Sequence, residues 1–242
     1  VTLVDALLTP RLSRDAAAPL VTYYDDASGE RVELSGATFA NWVAKTANLL
    51  RDECDLQPGG RVAVLLPAHW QTLAILLGAW WCGASVTNDP AGADVVCCDA
   101  ARLGLATDAG AGVVVGLSLH AFGIGLPDLP AGVVDYATEV RLHGDVFTPD
   151  GPVPDDAVPV DVPAVEDLGV SAVVAAARAA ATAAGLDPGA RVLTTRDWSV
   201  GDGLIEVPLA VLAAGGSLVQ CRNVDVAVLE RRAASERVTH RL

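Results

Sequence analysis

The octapeptide LDPGARVL at residues 186–193 echoes LQPGGRVA at residues 56–63, 130 positions earlier. In each copy a Pro-Gly pair makes a turn. Arg-Val then opens an apolar run of the type a buried parallel strand needs. The echo continues further along: Gly83-Ala84-Ser85-Val86 is matched by Gly215-Gly216-Ser217-Leu218, now at an offset of 132. The match therefore spans a whole helix–strand–helix–strand unit. A chain that repeats such a unit predicts two α/β lobes built on one plan.

The intervening pattern fills in that plan. β-rich runs at residues 20–24 and 31–34 flank DDASG, where Gly29 is free to take positive φ, and read as a hairpin. Ser35 caps a helix whose Phe39, Trp42, Val43, Thr46, Leu49 and Leu50 share one face. RVAVLL is a buried strand. A helix over residues 70–82, stopped by Gly83, leads to a strand at 85–88, which makes a parallel βαβ unit. Strands at 94–98 and 112–116 bracket a helix at 100–109. Residues 147–167 hold five prolines and six acidic residues, and no Lys or Arg falls between Arg141 and Arg178. That composition describes a surface linker and not core. Beyond it, Ser171 is expected to cap an Ala-rich helix ending at Gly185. The expected division is a first lobe over 1–146, an acidic Pro-rich linker over 147–167 and a second lobe over 168–242, with the lobes packed as one unit. The fold class is α/β, three-layered, with mostly parallel sheets in two similar lobes.

Composition narrows the function. Apolar residues make up 52% of the chain and mean hydropathy is +0.40, so a sizeable core is available. The longest apolar run, 73–86, contains Gly78, Gly83 and Ser85 and is too short to span a bilayer. Asp5 interrupts the first apolar turn, so no leader is read there and a cytoplasmic protein is expected. A net charge of −14 repels phosphate backbones and anionic lipid, which argues against nucleic acid and membrane as partners. The cysteines Cys54, Cys82, Cys97, Cys98 and Cys221 form no Cys-x-x-Cys pair and read as buried free thiols, with Cys97 and Cys98 on opposite faces of a strand. No metal is expected, because His and Cys lack ligand spacing. Trp80 and Trp81 cannot share one helix face. One is expected on a sheet, the other against the second lobe or another subunit, and a protein partner or homodimer is an expectation on that ground.

The layout resembles the N-terminal region of adenylate-forming enzymes, the superfamily of acyl-CoA synthetases, luciferases and adenylation domains. LQPGGRVAVLLPAHWQTLAILLGAWWCGASVTNDP is similar to that family's Pro-Gly-Asp-Arg-Val phrase, an apolar strand ending in Pro, a helix, and Gly-Ala before the next strand. DPGARVLTTRDWSVGDGLIEVPLAVLAAGGSLVQC resembles its second lobe. The family's phosphate loop, rich in Ser, Thr and Gly, belongs between the lobes. Here that interval carries Asp150, Asp155, Asp156 and Asp161, and five prolines remove five amide donors. The family's later nucleotide motifs and catalytic lysine would fall beyond Leu242, and Lys45, the only lysine, reads as a solvated helix residue. The resemblance thus implies a truncated, degenerate relative without a cofactor, which binds a small acyl or nucleotide-like ligand or a protein. The alternative is a minimal synthetase that adenylates a carboxylate with ATP and Mg²⁺, completed by a partner chain.

Candidate ligand-binding residues follow from strand ends. Asp197 and Trp198 lie at the C-terminal end of a predicted parallel strand, the edge where open α/β sheets bind ligands. The resemblance also implies an acyl pocket there, lined in the family by an aromatic and an Asp or His, a pattern from which Arg196-Asp197-Trp198-Ser199 departs. Gly201 and Gly203 offer exposed amides. His69 follows the matching strand of the first copy and is the side chain best suited to proton transfer near neutral pH. Gly116-Leu117-Ser118-Leu119-His120 lacks the second glycine of a nucleophile elbow. Gly123-Ile124-Gly125 and Gly201-Asp202-Gly203 both lack the third glycine of a dinucleotide fingerprint. No catalytic residue is assigned.

Overall fold

Two five-stranded sheets share a layer of helices. The computed structural model describes residues 1–121, 123–154, 157–162 and 168–242; Asp155, Asp156 and residues 163–167 of the expected linker lie outside the described residues. A π-helical turn (Val4–Leu8) runs into α1 (Thr9–Asp15). The hairpin β1 (Pro19–Asp25) and β2 (Glu30–Ser35) follows, then α2 (Gly36–Asp52), β3 (Arg61–Leu65), α3 (Trp70–Trp81), β4 (Ser85–Thr87) and β5 (Val95–Asp99). Next come α4 (Leu103–Asp108), β6 (Val113–Leu117), β7 (Val133–Asp135) and α5 (Tyr136–Glu139). After the inter-lobe segment lie α6 (Val170–Ala183), β8 (Arg191–Thr194), a π turn (Ile205–Leu209) continuing as α7 (Ala210–Ala213), β9 (Ser217–Arg222), α8 (Leu229–Ser235) and β10 (His240–Arg241).

The strand orders are β4-β3-β5-β6-β7 and β10-β8-β9-β1-β2. Every pairing is parallel except β1 with β2. β3 sits between β4 and β5 as β8 sits between β9 and β10, so the sequence echo is an echo of topology. It extends to single hydrogen bonds. At the end of α3, Gly83 N donates to Trp80 O and Ala84 N to Ala79 O; at the end of α7, Gly215 N donates to Leu212 O and Gly216 N to Val211 O. Gly83 (φ +80°) and Gly215 (φ +63°) are the left-handed residues that end the two helices.

The sheets do not follow the division at residue 146. The hairpin at 19–35 joins the second-lobe sheet, with Val21 opposite Leu218 and Tyr23 opposite Gln220. Strand partners this far apart in sequence are chosen by which sheet edge is open, and no local pattern encodes that.

α2 and α3 lie between the sheets. α3 is buried along all its residues from Trp70 to Trp80, which explains why it is apolar on every side. α2 begins as expected, with Thr38 N donating to Ser35 Oγ at 3.1 Å. On the outer faces, Ala106 of α4 packs with Ala63, Val96 and Cys98, and Ala233 of α8 packs with Leu193, Val219 and Cys221. Each sheet thus has helices on both faces and the middle layer is common. Cys97 faces that middle layer and Cys98 the outer one. All five cysteines are buried and unpaired. Burial pushes the Cys54 and Cys82 thiols up to about 12, so they are poor nucleophiles. Lys45 occupies a helix face in an ion pair with Asp145 at 3.0 Å. No helix among the described residues is long and apolar enough to cross a membrane.

Three expectations are corrected. The inter-lobe segment contributes to the core: Phe147, Val160 and Val162 are buried. Val160 bridges Val86 in parallel, with Val86 N donating to Pro159 O (2.9 Å) and Asp161 N to Val86 O (2.8 Å), while Trp80 Nε1 donates to Pro159 O (2.6 Å). The open edge of β4 and a buried indole both need partners, and this segment supplies them. Trp81 packs on Phe147 of the same segment, 5.4 Å between ring centroids, and not on the second lobe. Ser171 caps nothing. Gly169 holds the N-cap position of α6, without a side-chain bond.

Candidate functional site

A cleft of about 530 Å³ opens where the carboxyl ends of both sheets meet. Leu66 and Pro67 follow β3, Asp99 to Arg102 end and follow β5, and Leu117 to Leu119 end and follow β6. The other sheet contributes Asp197 to Ser199 and Asp202 beyond β8, and Arg222 at the end of β9. The location obeys the rule for open α/β sheets. A second hollow of about 330 Å³ adjoins it, lined by Val160, Arg196 and residues 201–206. Asp202 borders both.

The loop after β8 is held rigidly. Asp197 Oδ1 accepts from Ala68 N at 3.1 Å and from Trp198 N at 3.2 Å, so one carboxylate ties the β3–α3 loop to the other lobe. Trp198 is buried, and its Nε1 donates to Gln220 Oε1 at 2.9 Å; Gln220 Nε2 in turn donates to Arg196 O at 3.0 Å. Ser199 and Asp202 exchange backbone bonds of 2.8 and 3.1 Å across a tight turn. That turn needs Gly201 at φ +94°, followed by Gly203 at φ +68°, conformations costly for other residues. Beyond them, Pro208 has no N–H to give to Leu204 O, and Leu209 N takes that carbonyl instead at 3.2 Å. This accounts for the π turn beside the second hollow.

The five expected residues are therefore distributed unequally. Asp197 and Trp198 line the larger cleft, and Gly201 and Gly203 line the adjoining hollow. His69 lines neither. It is 1% exposed and caps α3, with Gln71 N donating to its Nδ1 at 3.1 Å. Its Nε2 faces Glu30 Oε1 at 3.9 Å, too far for a hydrogen bond, and neither atom has a partner among the described residues. The Tyr23 ring meets the imidazole edge-on at 4.3 Å. Burial holds the His69 pKa below its ordinary value. The unfolded imidazole takes a proton near pH 6.5 and the folded one only at lower pH. Stability should then fall as pH drops below 6.5, by up to about 1.4 kcal/mol per pH unit. Urea unfolding at pH 7.5, 6.5 and 5.5 checks this. His69→Asn keeps a capping side chain and should flatten the profile; an unchanged slope would assign the pH dependence elsewhere.

Sequence reading missed Asp99, Arg102, Glu206 and Arg222, and it weighed Ser118 only as a nucleophile. Most stand at or within a few residues of a strand end, which is the one signal that would have found them. Arg102 is spent on Asp99, with which it forms an ion pair. Ser118 Oγ donates to Ile124 O and accepts from His120 N at 3.2 Å, an arrangement that orders a turn and activates no nucleophile. Among the described residues no three His, Cys, Asp or Glu side chains converge as a metal site.

No family model matches the chain. A Mycobacterium tuberculosis (strain ATCC 25618 / H37Rv) protein described as a TIGR03089 family protein is 49% identical over 246 residues, covering 98% of this chain and 97% of its own length. Among solved structures, the Brucella canis acyl-CoA synthetase superposes with a TM-score of 0.76 at 18% identity, over 100% of this chain and 47% of its own. Acetoacetyl-CoA synthetase from Streptomyces lividans superposes with a TM-score of 0.76 at 17% identity, over 98% of this chain and 41% of its own. At these identities the likeness is one of fold, and the chain spans less than half the length of either synthetase. The near-complete match to the mycobacterial protein decides the affiliation: this chain belongs to the TIGR03089 family.

Proposed function

We propose that the chain is a degenerate, non-catalytic relative of the acyl-CoA synthetases that holds a small acyl or nucleotide-like ligand in the cleft between its sheets. The observation that carries this reading is the position of the cleft, at the carboxyl ends of both sheets with walls from both lobes. Its volume suits a small organic ligand. Its charge does not suit a magnesium triphosphate. Three aspartates and two arginines line it, one arginine is already paired to Asp99, and the only lysine of the chain is paired to Asp145 elsewhere. Phosphoryl transfer needs converging positive charge or amides on the transferring oxygens. Asp197 and Asp202 work against that.

Calorimetric titration with AMP, coenzyme A, and ATP with Mg²⁺ tests the reading, with pyrophosphate measured in parallel in the presence of short carboxylic acids. Saturable heat from AMP or coenzyme A without pyrophosphate is the expected result. Pyrophosphate release would replace this reading with that of a minimal synthetase completed by a partner chain. No heat from any of them would leave a protein-interaction module.

A further inference from the structure

Charge in the cleft is unevenly committed. Asp99 and Arg102 neutralise each other, and Asp197 accepts two backbone amides. Arg222 is different. It is half-buried at the end of β9, on the face of the sheet that meets the middle layer, and it lines the cleft. Among the described residues, no carboxylate stands within ion-pair distance of its guanidinium. Asp25, its cross-strand neighbour, is occupied by Asn223 Nδ2 at 2.9 and 3.0 Å and by Ala27 N at 2.9 Å. The Tyr23 phenol and His69 both lie near enough to Arg222 to feel its charge. Burial pushes Tyr23 up to about 12, and it keeps His69 uncharged. Neither supplies a negative charge. Glu30, beyond His69, leaves Oε1 unpartnered and does not reach Arg222. A half-buried guanidinium that faces a cleft, with neutral groups beside it and its cross-strand carboxylate Asp25 committed to other donors, is an unfilled site for an anion.

We infer that Arg222 is the residue of the cleft that receives the ligand's anionic group, a carboxylate or a phosphate monoester, and so selects organic anions over their neutral counterparts. The inference rests on the ligand-binding reading of the cleft and goes beyond it by naming the charge of the ligand and the side chain that meets it. A planar guanidinium pairs with either group through two N–H donors. Asp202, which also lines the cleft, limits the total charge it accepts, which favours a single anionic group over a polyphosphate.

The test compares isosteres that differ in charge: AMP with adenosine, and butyrate with butyramide, by calorimetry at fixed ionic strength. The expected result is that at least one anion binds about tenfold or more tightly than its neutral counterpart. Arg222→Gln should erase that preference while leaving neutral binding within about twofold, and Arg222→Lys should keep part of it. Which pair shows the preference identifies phosphate or carboxylate. Equal binding of anion and neutral compound, or a preference that survives Arg222→Gln, overturns the inference and leaves the cleft reading standing. Binding of neither member of either pair overturns the inference, and the cleft reading falls with it if coenzyme A gives no heat either. Arg222→Gln must retain the wild-type urea midpoint. If it does not, the salt dependence of wild-type binding decides, because anion capture by Arg222 requires affinity to fall as ionic strength rises.

Discussion

Glu236→Gln is expected to cost about 3 kcal/mol of folding stability, the largest single-site effect foreseen for this chain. Glu236 is 7% exposed and stands where the end of α8 meets the outer face of the second-lobe sheet. Its carboxylate accepts from Tyr24 Oη at 2.5 Å, from Arg31 Nη2 at 2.8 Å and from Arg191 Nη2 at 2.5 Å; its backbone oxygen takes Arg191 Nε as well. Arg191 also reaches Thr22 Oγ1 at 3.0 Å. One carboxylate thus joins β1, β2, β8 and α8. Burial alone would raise the Glu236 carboxyl, but the Tyr24, Arg31 and Arg191 donors outweigh it and hold it below the usual carboxylate range. The sign of the pH effect follows. The stabilisation is present above the unfolded carboxyl value, near 4.3, and is lost as pH falls through the lower folded value. A neutral amide cannot satisfy two guanidinium groups, and Arg191 has little access to water in compensation. Arg31 is half exposed and can rehydrate, which is why the lower end of the range for broken buried pairs applies. Urea unfolding at pH 7 measures the loss. Replacing both members, Glu236→Leu with Arg191→Met, should recover most of it, since a buried pair is costly chiefly when halved. A single-variant loss under about 1 kcal/mol would show the network to be solvated.

How much of this was legible in the sequence depends on whether the information was local. The turn, strand and helix order around residues 56–88 and 186–219 was legible, because Pro-Gly turns, Gly helix ends and apolar periodicity act within a few residues. The Ser35 cap was legible for the same reason. The placement of β1 and β2 in the second-lobe sheet was not, because Val21 meets Leu218 across nearly the whole chain. Nor was the burial of Val160 and Val162. Their segment reads as acidic and Pro-rich, and only the open edge of β4 and the Trp80 indole explain why it folds inward. In the candidate site, Asp197 and Trp198 could be found because they follow a recognisable strand. Arg222 could not, since a single arginine after a strand has no spacing signature until the sheets are assembled. His69 shows the opposite failure: its residue type promised proton chemistry, and its surroundings commit it to capping a helix.

The repeat itself supports a second prediction of large effect. Aligned by the offsets of 130 and 132, the two copies exchange their small residues: Gly60 and Ala84 in the first correspond to Ala190 and Gly216 in the second. The same hydrogen bond passes through both places, Ser85 N to Gly60 O at 2.9 Å and Ser217 N to Ala190 O at 2.8 Å. Sequence comparison alone would rate Gly216→Ala as conservative, because the first copy already carries alanine at this position, buried and accommodated. The structure says otherwise. A Cβ on Gly216 would stand 2.5 Å from Ala190 O and 3.1 Å from Val211 O, both backbone atoms that cannot move without shifting β8 or α7. The substitution is therefore expected to destabilise the chain by about 2 kcal/mol, in the range of overpacking in a tight core. Urea unfolding of Gly216→Ala measures it directly. The double variant Ala190→Gly/Gly216→Ala reproduces the residues of the first copy. If the clash is relieved by local freedom at residue 190, part of the loss returns; if the second copy is held more closely by its Glu236 network, none does. A Gly216→Ala chain as stable as wild type would mean that the two lobes are interchangeable in packing as well as in plan, and that the glycine records ancestry and not a contact.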